Sequence, residues 1–396
     1  MATEPAEVKP SERVPVRNNP RVRAAFYQIV LLLALAWLGY LFAANASANL
    51  QAQRIATGFG FLDGTAGFGI SQSLIPYSET DSYSRVFLVG LLNTLLVALL
   101  GIAFATILGF TVGIARLSSN WLIARFAAGY VELIRNLPLL FQILFWYLAV
   151  LGTLPGPRES ISIFGEIYLN NRGIIVPEPV IESGAGYVLA AFVIAIAAAI
   201  AVRVWARRRQ QATGRQCPTS WIALALTIGL PAVVLIATGF PIRFARPELR
   251  GFNFIGGVRM IPEFAALLVA LATYTAAFIA EIVRAGILAV PRGQKEAALS
   301  LGLSPSFTLR LVVVPQAMRL IIPPLTSQYL NVTKNTSLGV GVGYPDLFAV
   351  FAGTTLNQTG QAIEILAITM GVYLLISLIT SLLMNIYNAR IRLIER

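Results

Sequence analysis

Long apolar runs constrain the fold of this chain more than any other feature. A run of about 18 or more such residues crosses a bilayer as an α-helix, which pairs its backbone N–H and C=O groups within the segment. Eight candidate spans follow one another, near Phe26–Ala44, Val86–Ala115, Leu122–Leu151, Tyr187–Val202, Trp221–Phe240, Phe264–Ala285, Leu320–Val342 and Ala362–Tyr387. The fourth is short and the seventh irregular. The expected fold is an all-α polytopic membrane protein with about eight transmembrane helices. The chain has no histidine and one cysteine, Cys217, so an internal disulfide is impossible. The commonest general base and metal ligand is also missing, which argues against a zinc, haem or serine-histidine enzyme. No metal site is expected.

Charge sets the orientation. With the N-terminus inside, the inner segments hold 20 of the 30 Lys and Arg residues, the outer loops eight and the spans two. Membrane proteins keep excess Lys and Arg on cytoplasmic loops, so both termini are expected there, and the net charge of +12 needs no nucleic-acid partner. The loop carrying Arg243, Arg246, Arg250 and Arg259 is basic on the wrong side. The small residues of "ANASA" (Ala44–Ala48) raise a cleaved signal as an alternative for the first span. Its long run, which includes Trp37, and the roughly 25 residues before it favour a retained anchor.

Two regions look added to a smaller core. Residues 1–25 form an inner tail and 26–44 the first span; the Gly-, Ser- and Ala-rich segment 45–85 lies outside. Core spans occupy 86–151 and 263–390, with 391–396 as an inner tail. Between them, residues 152–262 insert an outer loop and two further spans joined by "ARRRQQATGRQ". The arginines Arg207–Arg209 read as a topology-setting loop rather than as a specific lipid site.

The segment "KEAALSLGLSPSFTLRLVVVP" (Lys295–Pro315) interrupts this apolar pattern. Pro291 and Gly293 end the sixth span, since proline forfeits a helical hydrogen bond and glycine costs about 1 kcal/mol in a helix. Gln294–Leu301 reads as a short helix with Glu296 near its positive end and Gly302 in the left-handed closing position. Ser304 followed by Pro305 marks the cap and first residue of a second helix leading toward Pro315. Ala297 and Ala298 are expected to face outward, making a smooth knob for a groove in another protein. Taken alone, the tripeptide also fits an ordinary connector.

The extended pattern is more specific: Glu296-Ala297-Ala298, three residues, Gly302, nine residues, then Val312-Val313-Val314-Pro315. It resembles the signature loop of the membrane subunits of bacterial ABC importers. "EIVRAGILAVPRGQKEAALSLG" from Glu281, "VELIRNLPLLFQILFWYLAV" from Val131, "VVPQAMRLIIPPL" from Val313 and "VTKNTSLGVGVGYPDLF" from Val332 are similar to the polar amino acid uptake branch. The added loop and spans resemble the larger permease subunit of general L-amino-acid importers. Val314 stands where that family usually has leucine before the proline.

The resemblance implies a five-span core of the methionine-importer membrane-domain type in the bacterial inner membrane. It implies a homologous second permease subunit, two cytoplasmic ATPases and a periplasmic amino-acid-binding protein as partners. Lys295, Glu296, Ala297, Ala298, Gly302, Ser304 and Pro315 would then form the ATPase-coupling element of the 291–319 loop. No G-x-x-x-x-G-K-[ST] phosphate loop occurs in the chain. No cofactor is therefore expected on it, and ATP with magnesium belongs to the partner ATPase. A secondary carrier driven by an ion gradient would need no such loop, and a membrane enzyme lacks a clustered acid or nucleophile.

Ionisable groups inside spans cost about 2.5 to 3.5 kcal/mol each at mid-bilayer and need a partner or a cavity. Glu132 and Arg135 share a helical face beside Asn136, and Pro138 leaves the carbonyl of Ile134 without its helical donor. They read either as a mutually neutralising pair or as part of a translocation path. Glu281 and Arg284 repeat the spacing and either brace the coupling loop or line the path. Lys334, Asn335, Thr336 and Ser337, followed by glycines at 339, 341 and 343, read as a broken helix at a gate or cavity. Asn93 and Thr94 read as interhelical glue.

Overall fold

The computed structural model describes residues 20–52, 57–182, 184–214, 217–240 and 242–391. Residues 1–19 and 392–396 of the two tails and Arg215 of the turn between the inserted spans lie outside them. Among the described residues seven helices are long and apolar enough to cross a membrane, or eight if a bent pair counts as one span. In chain order they are α1 (Pro20–Ala52), α2 (Tyr83–Ala115), the pair α3 (Trp121–Asn136) and α4 (Leu139–Leu144, prolonged by a π-helical turn to Leu151), and α5 (Ala185–Thr213). Next come α6 (Thr219–Leu224), continued through a π-helical turn into α7 (Leu230–Ala237), and α8 (Pro262–Leu288). After the short helices α9 (Arg292–Ser300) and α10 (Pro305–Thr308) follow α11 (Val314–Asn335), α12 (Leu356–Thr359) and α13 (Ala362–Ile391).

Several helices depart from expectation for local reasons. The helix α1 continues through Ala44–Ala48 to Ala52. The fourth span is not short: α5 has 29 residues, because "RVWARRRQQA" is made of good helix formers and the helix closes only at Gly214, φ +69°. The third span is not straight. Leu137 precedes a proline and takes an extended conformation, φ −100° and ψ 132°, so α3 and α4 meet at 107°. The seventh span begins earlier than Leu320, since Pro305–Val342 is continuous. A π-helical turn at Leu309–Val313 widens the coil just where Pro315 has no N–H to give.

The core has α8 at its centre, packed on α2, α3, α4 and α11, with α13 on α11. Lipid offers no hydrophobic drive between helices, so close approach must come from small residues. On α2, Gly101, Ala105, Gly109 and Gly113 recur every fourth residue and are buried. On α8, Ala272, Ala276 and Ala280 repeat the same spacing. A Cβ placed at Gly109 would lie 2.6 Å from Ile279, and at Gly113 2.8 Å from the Ala280 carbonyl oxygen. The backbones of α2 and α8 therefore touch directly.

The loops on either side of the inserted pair add short strands to this mostly helical fold. Strands β1 (Ile161–Ile163), β2 (Ile167–Asn170), β3 (Gly173–Val176) and β4 (Glu178–Ile181) precede α5; β5 (Ile242–Ala245), β6 (Glu248–Arg250), β7 (Asn253–Ile255) and β8 (Val258–Met260) follow α7. One antiparallel sheet has the order β1-β2-β3-β8, and β4 pairs with β5. Ile174 opposite Met260 and Val180 opposite Arg243 join the loop that enters the inserted pair of spans to the loop that leaves it. The insertion thus returns to its point of departure. The wrong-side arginines also find partners: Arg243 with Glu182 at 3.0 Å, Arg246 with Glu166 at 2.8 Å and Arg250 with Glu248 at 3.3 Å. Arg259 donates to the Arg172 carbonyl at 3.0 Å. Three of the four charges are neutralised where they stand.

Candidate functional site

The knob at 291–319 hangs from the C-terminal end of α8, as the caps dictate. Pro291, φ −57° and ψ 135°, ends the approach, and α9 starts at Arg292, two residues before the expected Gln294. Gly302 has φ +78°, the left-handed closing conformation, and its N–H donates to the Leu299 carbonyl at 2.9 Å. Leu303 N–H donates to the Ala298 carbonyl at 3.2 Å, completing the closure. The Ser304 hydroxyl oxygen accepts from Phe307 N–H at 3.5 Å, with Pro305 as the first helical residue. Gln316 donates to Gln294 at 3.3 Å, tying α9 to the start of α11.

The outward face differs in one position from the sequence expectation. Lys295, Glu296, Ala297 and Leu301 are exposed, whereas Ala298 is 5% exposed and turned inward. At helical spacing Ala297 and Ala298 point about 100° apart, so one of the two serves packing and the other the surface. A cavity of about 430 Å³ opens between the end of α8 and the two short helices, with Leu288, Pro291, Lys295, Thr308 and Leu309 in its wall. The knob therefore offers an apolar notch with two cations, Arg292 and Lys295, in its wall.

The ionisable groups within the spans do not converge on one site. Among the described residues no ion pair joins Glu132 to Arg135. Both are exposed, and Arg135 instead lies over the Phe278 ring, 5.0 Å from its centre. Asn136 donates to the Glu132 carbonyl at 2.7 Å. The Ile134 carbonyl freed by Pro138 is not left open. Gln142, 5% exposed, donates to it and to the Leu137 carbonyl, each at 3.0 Å, so one side chain holds the bend. A lone glutamine four residues after a proline in an apolar run was the signal for this, and the sequence reading missed it.

Glu281 and Arg284 do pair, at 2.5 Å, and Glu281 also bonds Arg116 at the end of α2. The trio fastens α2 to α8 within the last two turns of α8. Lys334 is exposed at the end of α11, where the helix tightens to a 3-10 turn over Thr336–Val342 and stops at Gly343, φ +79°. Thr336 and Ser337 donate to the carbonyls of Thr333 and Lys334, at 2.9 and 2.8 Å, and Asn335 is half-buried. The break expected there is present, and its hydroxyls bond their own helix.

The segment after Gly343 is anchored by α2. Asn93 donates to the Pro345 carbonyl at 2.8 Å, and the Thr94 hydroxyl oxygen accepts from Leu347 N–H at 3.0 Å. The Tyr344 hydroxyl donates to the Asn93 carbonyl at 3.1 Å. Asp346, fully buried, accepts from Ala349 N–H at 2.8 Å and from the Tyr373 hydroxyl at 3.2 Å. Asn93 and Thr94 are thus interhelical glue, and Asp346 and Tyr373 complete a knot that the sequence reading did not single out.

Comparison with known proteins bears on this arrangement. Residues 212–393 match the family described as binding-protein-dependent transport system inner membrane component. The chain is 54% identical to the general L-amino acid transport system permease protein AapQ of Rhizobium johnstonii, over 96% of this chain and 94% of that one. It is 54% identical to the putative amino-acid ABC transporter permease protein YhdX of Escherichia coli, over 96% of each. It is 43% identical to the glutamate/glutamine/aspartate/asparagine transport system permease protein BztB of Rhodobacter capsulatus, again over 96% of each. A core of membrane-length helices and likeness along nearly the whole chain agree: this protein belongs to the family of multi-pass inner-membrane permease subunits of amino-acid ABC importers.

Proposed function

We propose that this chain is one of two permease subunits that together form the passage for L-amino acids, acidic ones included, from periplasm to cytoplasm. Both termini lie in the cytoplasm, and a periplasmic binding protein delivers the substrate. Two cytoplasmic ATPases bind ATP and magnesium and hold the knob, with Lys295, Glu296, Ala297 and Leu301 at the contact and Ala298, Gly302, Ser304 and Pro315 shaping it. The observation that carries this reading is the attachment of α9, a capped and exposed helix, to the end of the span that packs on most of the core. A displacement of α9 must pass into α8 and, through the backbone contact at Gly109 and Gly113, into α2. ATP drives such a switch only by binding one state more tightly than the other.

The exposure of Glu132, Arg135 and Lys334 supports a passage formed against the second permease subunit. A zwitterionic amino acid calls for both a cationic and an anionic contact, and these residues supply them, with Asn136, Asn335 and Ser337 beside them. Glu281, Arg284 and Thr336 act behind the passage as braces. The likeness to AapQ, a general L-amino acid permease, and to BztB, a glutamate/glutamine/aspartate/asparagine permease, supports general and acidic L-amino acids as substrates.

The test uses proteoliposomes with the complete set of subunits and either Glu296→Lys or Gly302→Asp. Loss of ATP-dependent uptake, with binding-protein affinity unchanged, is the expected result. Uptake at the normal rate overturns the docking reading. Uptake that follows an ion gradient without the ATPase assigns the chain to secondary carriers instead.

A further inference from the structure

The inserted helices α5 and α6–α7 pack chiefly on one another, and few of their apolar residues are buried. Between Glu182 and Glu248 the chain carries seven arginines and not one Asp or Glu. Among the described residues of that hairpin, neither Arg203 nor Arg207 forms an ion pair, and both are exposed.

Two adjoining clefts lie between α5 and α6, each about 310 Å³. The first is polar and is lined by Arg203, Arg207, Gln210, Thr219 and Ser220. The second is walled mainly by Ile196, Ala199, Ile200 and Leu224 and shares Arg203 and Ser220 with the first. Residues 203, 207 and 210 stand at i, i+4 and i+7, on one face of α5, so the helix itself aligns them. The result is one groove with a cationic end and an apolar end.

Its depth fits a lipid. Trp205 and Trp221 are exposed beside the cationic end, and Tyr187 is exposed near the other end of α5. Tyr187 and Trp205 are separated by about 27 Å at 1.5 Å per residue, close to the thickness of the hydrocarbon core. Aromatic side chains of this kind mark the headgroup level, which places the two arginines where phosphates lie and the apolar cleft where acyl chains lie. Arg208 and Arg209 do not line the groove, and Arg209 instead lies over the Trp205 ring at 5.1 Å.

We propose that this groove binds an anionic phospholipid, with its phosphate between Arg203 and Arg207 and an acyl chain along Ala199, Ile200 and Leu224. Only the leaflet rests on the orientation given above; in that orientation it is the cytoplasmic one. The inserted spans then carry a lipid-held contact, which separates two of the arginines from a purely topological role.

The test is native mass spectrometry of the full-length chain with its co-purifying subunits, titrated with phosphatidylglycerol, cardiolipin or phosphatidylcholine. Retention of the anionic lipids is expected to exceed that of phosphatidylcholine. Arg203→Gln with Arg207→Gln is expected to lower it about tenfold or more, whereas Arg208→Gln with Arg209→Gln changes it less than about twofold. Millimolar inorganic phosphate or glycerol 3-phosphate is expected not to displace the lipid. Equal losses in the two double variants, no loss in either, or displacement by free phosphate each overturn the proposal. Retention is read without transport, so the result is independent of whether ATP-driven uptake is found.

Discussion

The seam between α2 and α8 and the inserted pair α5 with α6–α7 are both helix contacts in one chain, but they are built differently. In α8, 61% of the most apolar window is buried, against 17% in α5 and 6% in residues 219–237. At the seam, glycine and alanine at every fourth position bring two backbones together. The inserted pair has bulky apolar residues facing outward and is tied at its outer end by β3 with β8 and β4 with β5. The first contact is suited to transmitting a displacement, because backbone against backbone leaves no slack. The second is tethered rather than interlocked, which is compatible with lipid filling its groove.

Substitution can break that comparison. Gly109→Leu places a side chain into Ile279 and is expected to destabilise the assembled protein by about 1–3 kcal/mol or more, read as lost thermal stability and lost uptake. Gly229→Leu, in the inserted pair, meets nothing within 4 Å and is expected to stay within about 0.5 kcal/mol. Equal effects would erase the distinction between the two regions.

Gly173→Ala probes the tether. Its Cβ would fall 2.0 Å from the Met260 carbonyl oxygen at φ +119°, so the β3–β8 pairing should open, seen as faster amide exchange at 174–176 and 258–260. Exchange that stays slow would show that the ends of the insertion are held by something else. Gln142→Leu removes both bonds across the bend between α3 and α4 and is expected to cost about 1–2 kcal/mol. Arg246→Gln, in the exposed connection between β5 and β6, should cost no more than about 0.5 kcal/mol, and a larger loss would mean that these strands depend on their ion pairs.

Much of this architecture was legible in the residues. Hydropathy placed the spans, and the stop and start signals Pro291, Gly302, Ser304 and Pro305 located the first short helix to within two residues and the start of the second at Pro305. Those devices act through their own backbone, so neighbouring sequence suffices to read them. The inward turn of Ala298 was not legible, because only the packing of α9 on its neighbours decides which alanine is covered. The separation of Glu132 from Arg135 has the same origin: Phe278, 143 residues away, supplies the surface that draws Arg135 off. The strands could have been found. "ISIFGEIYLN" and "GIIV" flank turn residues and are rich in β-branched side chains, but their setting between spans concealed the period. The four-residue repeat of Gly101, Ala105, Gly109 and Gly113 was also present in the sequence and is the plainest missed signal.

The central claim is that α9 is the handle by which a separate ATPase moves this subunit. Cysteine cross-linking tests it most directly, since Cys217 is the chain's one native cysteine. With Cys217→Ser as background, Ala297→Cys is combined with cysteines introduced along the surface of the co-expressed ATPase. The account predicts a cross-link from position 297 whose yield changes when ATP is added, and none from Ala225→Cys on the inserted pair. Amino acid uptake driven by ATP with no cross-link from position 297 to the ATPase would contradict it.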